Sequence, residues 1–150
     1  MKNSHNLRKG RISLANHYYC VTIVTYHREA LLMDLYLNRA FICEMKRLEE
    51  EGAAKTIAFV FMPDHIHWLF QLQLKMELSG VIRTFKGRTT KIARMNAQLN
   101  KFWQPDYYDH LIRNESDLIN YARYIVANPL RGELVKNVSL YPYWDCIYIN

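Results

Sequence analysis

Two apolar segments separated by a short turn constrain the fold of this chain more than any other feature. Residues 55–62 and 66–74 are rich in β-branched and aromatic side chains, and Pro63-Asp64 between them favours a turn. The pattern therefore predicts a β-hairpin. With 150 residues, 50% of them hydrophobic, the chain suits a single compact domain over residues 1–150 with a core of its own.

His65 and His67 stand where the second strand of this hairpin begins. Because alternate residues of a strand share one face, both imidazoles would point to the same side while Ile66 turns into the core. Two imidazoles on one face of a rigid strand can bind one metal ion. A His-x-His pair also occurs where both rings only form hydrogen bonds, so the spacing leaves the two interpretations open.

The rest of the chain predicts further elements. Residue types and periodicity indicate strands over Tyr18–Tyr26 and Tyr107–Ile112, and helices over Asp34–Glu51, Leu78–Leu99 and Asn114–Asn128. The order β-α-β-β-α-β followed by a helix predicts the α+β, ferredoxin-like (split βαβ, RRM-like) fold, an antiparallel sheet with helices mainly on one face. Residues 132–150 have too little periodicity to place, and we expect their aromatic side chains to pack on the core.

Positive charge is concentrated in two stretches that contain no carboxylate. The formal net charge is +6, and the two stretches are residues 1–28 and 78–105. In the second stretch the apolar residues of the predicted helix, Met95 among them, fall in one sector and the basic residues in the opposite sector. Clustered basic charge favours a polyanionic partner, and a solvated basic face is the alternative. The candidate binding residues are Arg8, Lys9, Arg11, Arg83, Lys86, Arg88, Lys91 and Arg94.

The last predicted helix carries residues that could complete a site with the histidine pair. Its apolar residues form one arc, and Tyr124 and Asn128 lie outside that arc, about 40° apart and one turn from each other. If this ridge lies across the sheet from His65 and His67, Asn128 completes a His-His-Asn ligand set suited to Mg²⁺ or Mn²⁺. Such a metal would polarise phosphoryl oxygens while the oxygen of Tyr124 attacks phosphorus.

Each of these roles has a structural alternative. Tyr121 lies nearer to the apolar arc than Tyr124, which favours packing, yet it is the rival nucleophile. Asn128 could instead cap the C-terminus of its helix. His110 is interpreted as a buried histidine oriented by the carboxylate before it, rather than as a third histidine ligand. Asp64 either shapes the hairpin turn or orients the histidine that follows it.

Several classes of protein are excluded by the composition. No apolar stretch approaches the length of a membrane span, and the N-terminus lacks the apolar segment of a signal peptide. The three cysteines have neither the spacing of a disulfide framework nor that of a zinc ribbon. We therefore expect a cytoplasmic protein with no membrane partner. The sequence leaves both a monomer and a homodimer open.

The motifs around these residues resemble those of a known family. Residues 61–69, Phe-Met-Pro-Asp-His-Ile-His-Trp-Leu, resemble the His-hydrophobic-His signature of the single-tyrosine HUH nucleases, and in particular of the insertion-sequence transposases. Residues 102–104, 107–113 and 124–135 are similar to motifs of the REP-associated tyrosine transposases. The similarity runs from about residue 18 to residue 144. One departure is the acidic residue at position 64, where many members have Asn.

The resemblance implies that Tyr124 is the nucleophile and that His65, His67 and Asn128 are the metal ligands. It implies a metal-dependent single-stranded DNA endonuclease and strand transferase that cuts beside hairpins, keeps a 5′-phosphotyrosine and leaves a 3′-hydroxyl, with Mg²⁺ or Mn²⁺ as cofactor. The basic helix would then contact hairpin phosphates, and the basic N-terminal stretch would follow an unpaired flank. A hairpin-binding protein without turnover and a metal-dependent phosphoesterase that uses water are the alternatives.

Overall fold

The computed structural model describes residues 13–148 and contains five strands and four α-helices within that range. In chain order they are β1 (Tyr18–Val24), α1 (Leu35–Glu50), β2 (Ala54–Met62), β3 (His65–Leu72), α2 (Leu78–Ala97), β4 (Tyr108–Ile112), α3 (Glu115–Val126), α4 (Asn128–Arg131) and β5 (Trp144–Cys146). Every element predicted from the sequence is present, with ends that agree to within about two residues. None of the helices in residues 13–148 combines the length and apolar composition needed to cross a membrane.

The five strands form one sheet in the order β4-β1-β3-β2-β5, and every neighbouring pair is antiparallel. The predicted hairpin is the β2–β3 pair, which turns at Pro63 and Asp64. The predicted α+β antiparallel fold is therefore confirmed. The fifth strand, β5, was not predicted, because the three residues of this edge strand are too few to show a periodicity.

The sheet is covered on both faces, each by its own hydrophobic core. On one face α1 and α2 bury Val21, Ile66 and Trp68 together with Phe41 and Phe85. On the other face the apolar side of α3 packs over a smaller cluster of side chains from the sheet. This cluster includes Ile57, Val60, Met62, Leu69 and Ile112. Since alternate strand residues face opposite sides, a residue's position in its strand decides which core or site it joins.

Side chains cap the N-termini of α1 and α3. Asp34 accepts a hydrogen bond from the backbone N–H of Leu37 at 2.8 Å, which begins α1. Asn114 accepts one from the N–H of Asp117 at 2.9 Å and donates to the carboxylate of the same residue, which begins α3. Each cap satisfies an N–H group that a helix start leaves without a partner. The start of α3 is thereby fixed, and with it the positions of the later residues around the helix axis.

Two expectations about packing have different outcomes. The aromatic side chains after residue 132 pack as expected: Tyr141 and Trp144 lie against the α3 core, and the hydroxyl of Tyr141 donates to the carbonyl of Phe61. The prediction that Met95 belongs to the packed face of α2 is wrong, since 73% of it is exposed. The last turn of α2 extends past the core, and Ala93 is the final buried residue of that helix.

Candidate active site

The two histidines predicted as metal ligands lie side by side on β3. Their ring centroids are 4.8 Å apart, with 77° between the ring planes. Leu69, the next residue on the same face, belongs to the core under α3, whereas Ile66 is fully buried in the opposite core. The prediction that both imidazoles share a face while Ile66 turns away is confirmed. The histidine pair therefore lies on the face of the sheet that α3 covers.

Each imidazole is held through its Nδ1 atom. The Nδ1 of His65 lies 2.7 Å from Oδ1 of Asp64, and the Nδ1 of His67 lies 3.0 Å from Oγ1 of Thr22 on β1. When Nδ1 carries the proton in both contacts, each Nε2 has a lone pair for a metal ion. Asp64 also shapes the turn, since its backbone carbonyl accepts from the N–H and the hydroxyl of Thr25. Both roles considered for Asp64 are therefore present.

His67 is held in its neutral form. Burial, and to a smaller extent the nearby charges of His65 and Arg131, lower the pKa of its imidazole to about 4. A metal ion binds the neutral imidazole, so His67 is in its ligand form at neutral pH without first having to lose a proton. Because its pKa is lowered in the folded protein, His67 binds a proton more readily when the chain is unfolded.

The difference between the pKa of His67 in the folded and in the unfolded chain predicts that stability depends on pH. As the pH falls below 6.5, the unfolded chain protonates first, so stability is lost until the pH reaches about 4 and then stays level. In EDTA, we expect the free energy of unfolding to fall by about 3 kcal/mol more in the wild type than in His67→Gln between about pH 7 and pH 4. Urea denaturation measures the free energy of unfolding of each protein at each pH. The control is His17→Gln, which replaces an exposed histidine and should show the same change in stability as the wild type. Parallel curves for wild type and His67→Gln would contradict the assignment.

The helix α3 distinguishes the two candidate nucleophiles as the sequence predicts. Tyr124 is 58% exposed. Tyr121 is half-buried against the α3 core, and its ring centroid lies 5.2 Å from that of His110. The side chain of Tyr124 is therefore the more exposed of the two. His110 itself is exposed, so the prediction of a buried histidine is wrong: it lies on the edge strand β4, where the ring of Tyr121 covers only part of it.

Asn128 is not the C-cap of α3. That helix ends at Val126 with Ala127 as its cap, and Asn128 begins α4. Its Oδ1 accepts a hydrogen bond from Nη2 of Arg131 at 2.9 Å. Its Nδ2 is buried without a hydrogen-bond partner in the described part of the chain. A buried donor without a partner costs free energy, so the hydrogen bonds of the amide do not by themselves account for its position.

The start of α4 lies next to the strand that borders the histidines. A Cβ atom on Gly132 would lie 3.4 Å from the backbone oxygen of Asn128 and 3.4 Å from the Cε of Met62, the residue that pairs with His65. The guanidinium carbon of Arg131 lies 3.7 Å from the ring centroid of Tyr124. The structure therefore brings the predicted nucleophile and the predicted third ligand to the face and end of the sheet where the histidine pair lies.

The three predicted ligands fit a divalent cation by the chemistry of their donors. His65 and His67 offer two nitrogens, and Asn128 offers an amide oxygen once Arg131 releases it. None of these donors carries a negative charge, so a bound cation would keep its full charge for an anionic ligand such as a phosphate. Among residues 13–148, no group of three or more His, Cys, Asp or Glu side chains is positioned to hold a metal.

Two residues of this site were not identified from the sequence. Thr22 lies on the neighbouring strand β1, 45 residues before His67, and contacts the imidazole of that histidine. A contact between residues so far apart in the chain leaves no local sequence pattern. Arg131 could have been found, because residues 124, 128 and 131 fall on one helical ridge when α3 and α4 are nearly continuous. Pro129 made a helix end appear certain there, although proline is compatible with the first turn of a new helix.

The predicted basic residues differ in their surroundings. Arg83, Lys91 and Arg94 are exposed on α2. Lys86 donates from Nζ to the backbone carbonyls of Gln104 and Asp106, which ties α2 to the segment before β4. A groove of about 650 Å³ lies between that segment and α2, and Arg83, Arg94 and Lys101 line it. Arg8, Lys9 and Arg11 lie outside the described residues.

Arg88 has an intramolecular partner. Its two terminal nitrogens donate to the two carboxylate oxygens of Glu51 on the segment after α1, at 2.5 and 2.9 Å. This hydrogen-bonded pair raises the pKa of Arg88 and lowers the pKa of Glu51. The prediction that Arg88 contacts DNA stays untested, and its fork-shaped guanidinium already links two helices.

Comparisons with known proteins agree with one another. The family model described as IS200-like transposase matches residues 13–128. A Haemophilus influenzae protein provisionally named REP-associated tyrosine transposase is 32% identical over 136 residues, covering 83% of this chain and 77% of that protein. The REP-associated tyrosine transposase of Escherichia coli is 27% identical over 127 residues, covering 84% of this chain and 73% of that protein.

A solved structure shows the same relationship at the level of the fold. It is that of a REP-associated tyrosine transposase bound to a REP hairpin, with a TM-score of 0.74 and 28% identity, covering 89% of this chain and 79% of that one. The matched region of the family model includes His65, His67, Tyr124 and Asn128. The chain therefore belongs to the IS200-like transposases, among the REP-associated tyrosine transposases.

Proposed function

We propose that this transposase cuts and rejoins single-stranded DNA beside hairpins through a covalent bond to Tyr124. The observation that carries the proposal is the arrangement of an exposed phenol and a His-His-Asn set at one end of one sheet face. The hairpin as partner is extended from the related transposase that was solved with a REP hairpin. The alternatives, a hairpin-binding protein without turnover and a phosphoesterase that uses water, make different products.

In the proposed cleavage step the oxygen of Tyr124 forms a bond to phosphorus and the bond from phosphorus to the 3′-oxygen breaks. The electron pair of the broken bond leaves with the 3′-oxygen, which takes up a proton from solvent, and the phenol proton is released. The DNA 5′ end stays on Tyr124 as a phosphotyrosine, and attack by a 3′-hydroxyl reverses the step to rejoin strands. No water enters the bond changes, so the energy of the phosphodiester is conserved for joining.

The proposed ligands of a Mg²⁺ or Mn²⁺ ion are His65, His67 and Asn128. When bound, such an ion would polarise the phosphoryl oxygens and stabilise the departing 3′-oxygen. The contribution of the chain itself is positional. Asp64 and Thr22 hold the two imidazoles by Nδ1, and burial keeps the second imidazole neutral. These supports mean that the two imidazoles need little reorganisation before they bind a metal ion.

The test of the proposal is a denaturing gel of protein incubated with a labelled hairpin oligonucleotide that carries unpaired flanks, with Mn²⁺ or with EDTA. We expect a covalent protein–DNA adduct and a free 3′-hydroxyl fragment in Mn²⁺ and neither product in EDTA. Cleavage without an adduct would support the water-using phosphoesterase. Binding without cleavage would support the inactive module.

The proposed DNA interface is the exposed basic side of α2. Arg83 and Arg94 line the groove beside the segment that leads into β4, and Gln104 of that segment donates its N–H to the carbonyl of Val24. Val24 pairs with His65, so the segment that borders the groove meets the sheet at the end where the histidine pair lies. Because α2 covers the opposite face of the sheet, DNA held in this groove would pass around that end to reach the site. Arg8, Lys9, Arg11 and Lys91 remain proposed as further phosphate contacts.

This interface predicts the salt dependence of binding. Each phosphate contact that is removed should flatten the slope of log K against log salt by about one unit, because one fewer counterion is released. We expect this change for Arg83→Gln and for Arg94→Gln. Arg88→Gln is the matched control on the same helix, since its guanidinium is bound to Glu51. Fluorescence anisotropy over a series of KCl concentrations gives the slopes, and equal slopes for all three variants would remove the groove from the interface.

A further inference from the structure

One side chain touches the central groups of the proposed site and has no role in the proposal so far. The guanidinium carbon of Arg131 lies 3.7 Å from the ring centroid of Tyr124, and its Nη2 donates to Oδ1 of Asn128 at 2.9 Å. Arg131 follows the region that the family model matches, residues 13–128.

The geometry of these contacts depends on the shape of the guanidinium. A positive charge near a helix C-terminus is favourable for lysine as well as arginine, so helix stability alone does not require this residue type. A flat guanidinium can cover an aromatic ring and still direct N–H groups outward at its edges. Arg131 has five N–H donors, and Asn128 accepts a hydrogen bond from one of its nitrogens. Within residues 13–148, its other donors face no side-chain acceptor and are available for an anion.

We propose that Arg131 binds the phosphate that Tyr124 attacks, and that Asn128 and the ring of Tyr124 hold its guanidinium in place before DNA arrives. This inference rests on the proposed function. In the cleavage step described above, negative charge develops on the phosphate oxygens while the bond from phosphorus to the Tyr124 oxygen forms. The guanidinium keeps its proton and its charge throughout. Its fork of N–H groups matches two phosphate oxygens, which a lysine ammonium cannot reproduce.

The hydrogen bond to Asn128 adds a second consequence. The same Oδ1 is a proposed metal ligand, so without DNA the guanidinium and a divalent cation compete for one oxygen and repel each other. A phosphate between the two positive charges would draw Arg131 away from Oδ1 and remove that repulsion. DNA should therefore strengthen metal binding, and a variant without the positive charge should lose part of this coupling.

The test compares Arg131→Lys and Arg131→Gln with Arg123→Gln, which removes an exposed arginine from α3. Single-turnover adduct formation at saturating labelled hairpin DNA should slow by about 10²-fold to 10³-fold in both Arg131 variants, as for loss of one charge-stabilising donor. The control should stay close to wild type. DNA affinity, measured separately by anisotropy, should change less than the rate does. Wild-type adduct rates in Arg131→Lys, or a slowing explained entirely by weaker DNA binding, would overturn the proposal.

Calorimetric titration with Mn²⁺ gives a readout that does not depend on turnover. With Tyr124→Phe as the background, which prevents covalent bond formation, hairpin DNA should tighten Mn²⁺ binding by about fivefold or more. Adding Arg131→Gln should tighten Mn²⁺ binding without DNA and reduce the effect of DNA. If the wild type forms no adduct, the proposed function fails, and these titrations still decide on Arg131. An unchanged DNA effect in the Arg131→Gln background would overturn its role.

Discussion

Tyr124→Phe is expected to abolish the covalent adduct with hairpin DNA, whereas Tyr121→Phe is expected to retain it. Both substitutions remove one hydroxyl from the same helix, three residues apart. The phenol of Tyr124 is 58% exposed, while the ring of Tyr121 packs against the α3 core and His110. Without the attacking oxygen no bond to phosphorus can form, so strand cleavage should fall by at least about 10³-fold.

The phenylalanine ring keeps the surface on which Arg131 lies, so Tyr124→Phe should fold like the wild type. An exposed hydroxyl contributes little to stability, so we expect the free energy of unfolding, measured by thermal denaturation, to change by no more than about 0.5 kcal/mol. Adducts are scored on a denaturing gel with labelled hairpin DNA and Mn²⁺. Persistence of the adduct in Tyr124→Phe, or its loss in Tyr121→Phe, would exchange the assignments of the two tyrosines.

His65→Ala and His67→Ala are each expected to abolish measurable Mn²⁺ binding and the metal-dependent adduct. Loss of a residue that only supports a metal ligand costs roughly 10-fold to 100-fold in affinity, and loss of a ligand itself should cost more. Thr22→Val removes the hydroxyl that contacts Nδ1 of His67 at 3.0 Å and should fall in the smaller range. Calorimetry with Mn²⁺ orders the variants.

Ile66→Val is the matched control for these two variants. Ile66 stands between the histidines on β3 but faces the opposite core, where it is fully buried. Removing one methylene there should cost about 0.5–1.5 kcal/mol of stability and leave Mn²⁺ affinity unchanged. If Ile66→Val weakened metal binding as much as His67→Ala, general damage to β3 would explain the losses and the histidines would not be ligands.

The sequence by itself determined most of the fold, because its signals are local. Pro63-Asp64 between two apolar runs predicted the hairpin, and helical periodicity predicted the bounds of α1 and α3 to within about two residues. Alternation along β3 predicted that the imidazoles share a face, and the arc on α3 separated Tyr124 from the core. Short elements such as β5, which has three residues, show no periodicity and could not be predicted from local signals.

Only the tertiary structure decided how the parts of the site meet. The sequence could place Tyr124 and Asn128 on a ridge, but which face of the sheet α3 covers depends on packing between residues about 60 positions apart. Thr22 supports His67 across a strand pair, and Glu51 engages Arg88 across two helices. Such contacts depend on distances in space rather than on spacing along the chain. For that reason the basic residues of α2, uniform in sequence, differ in the folded protein.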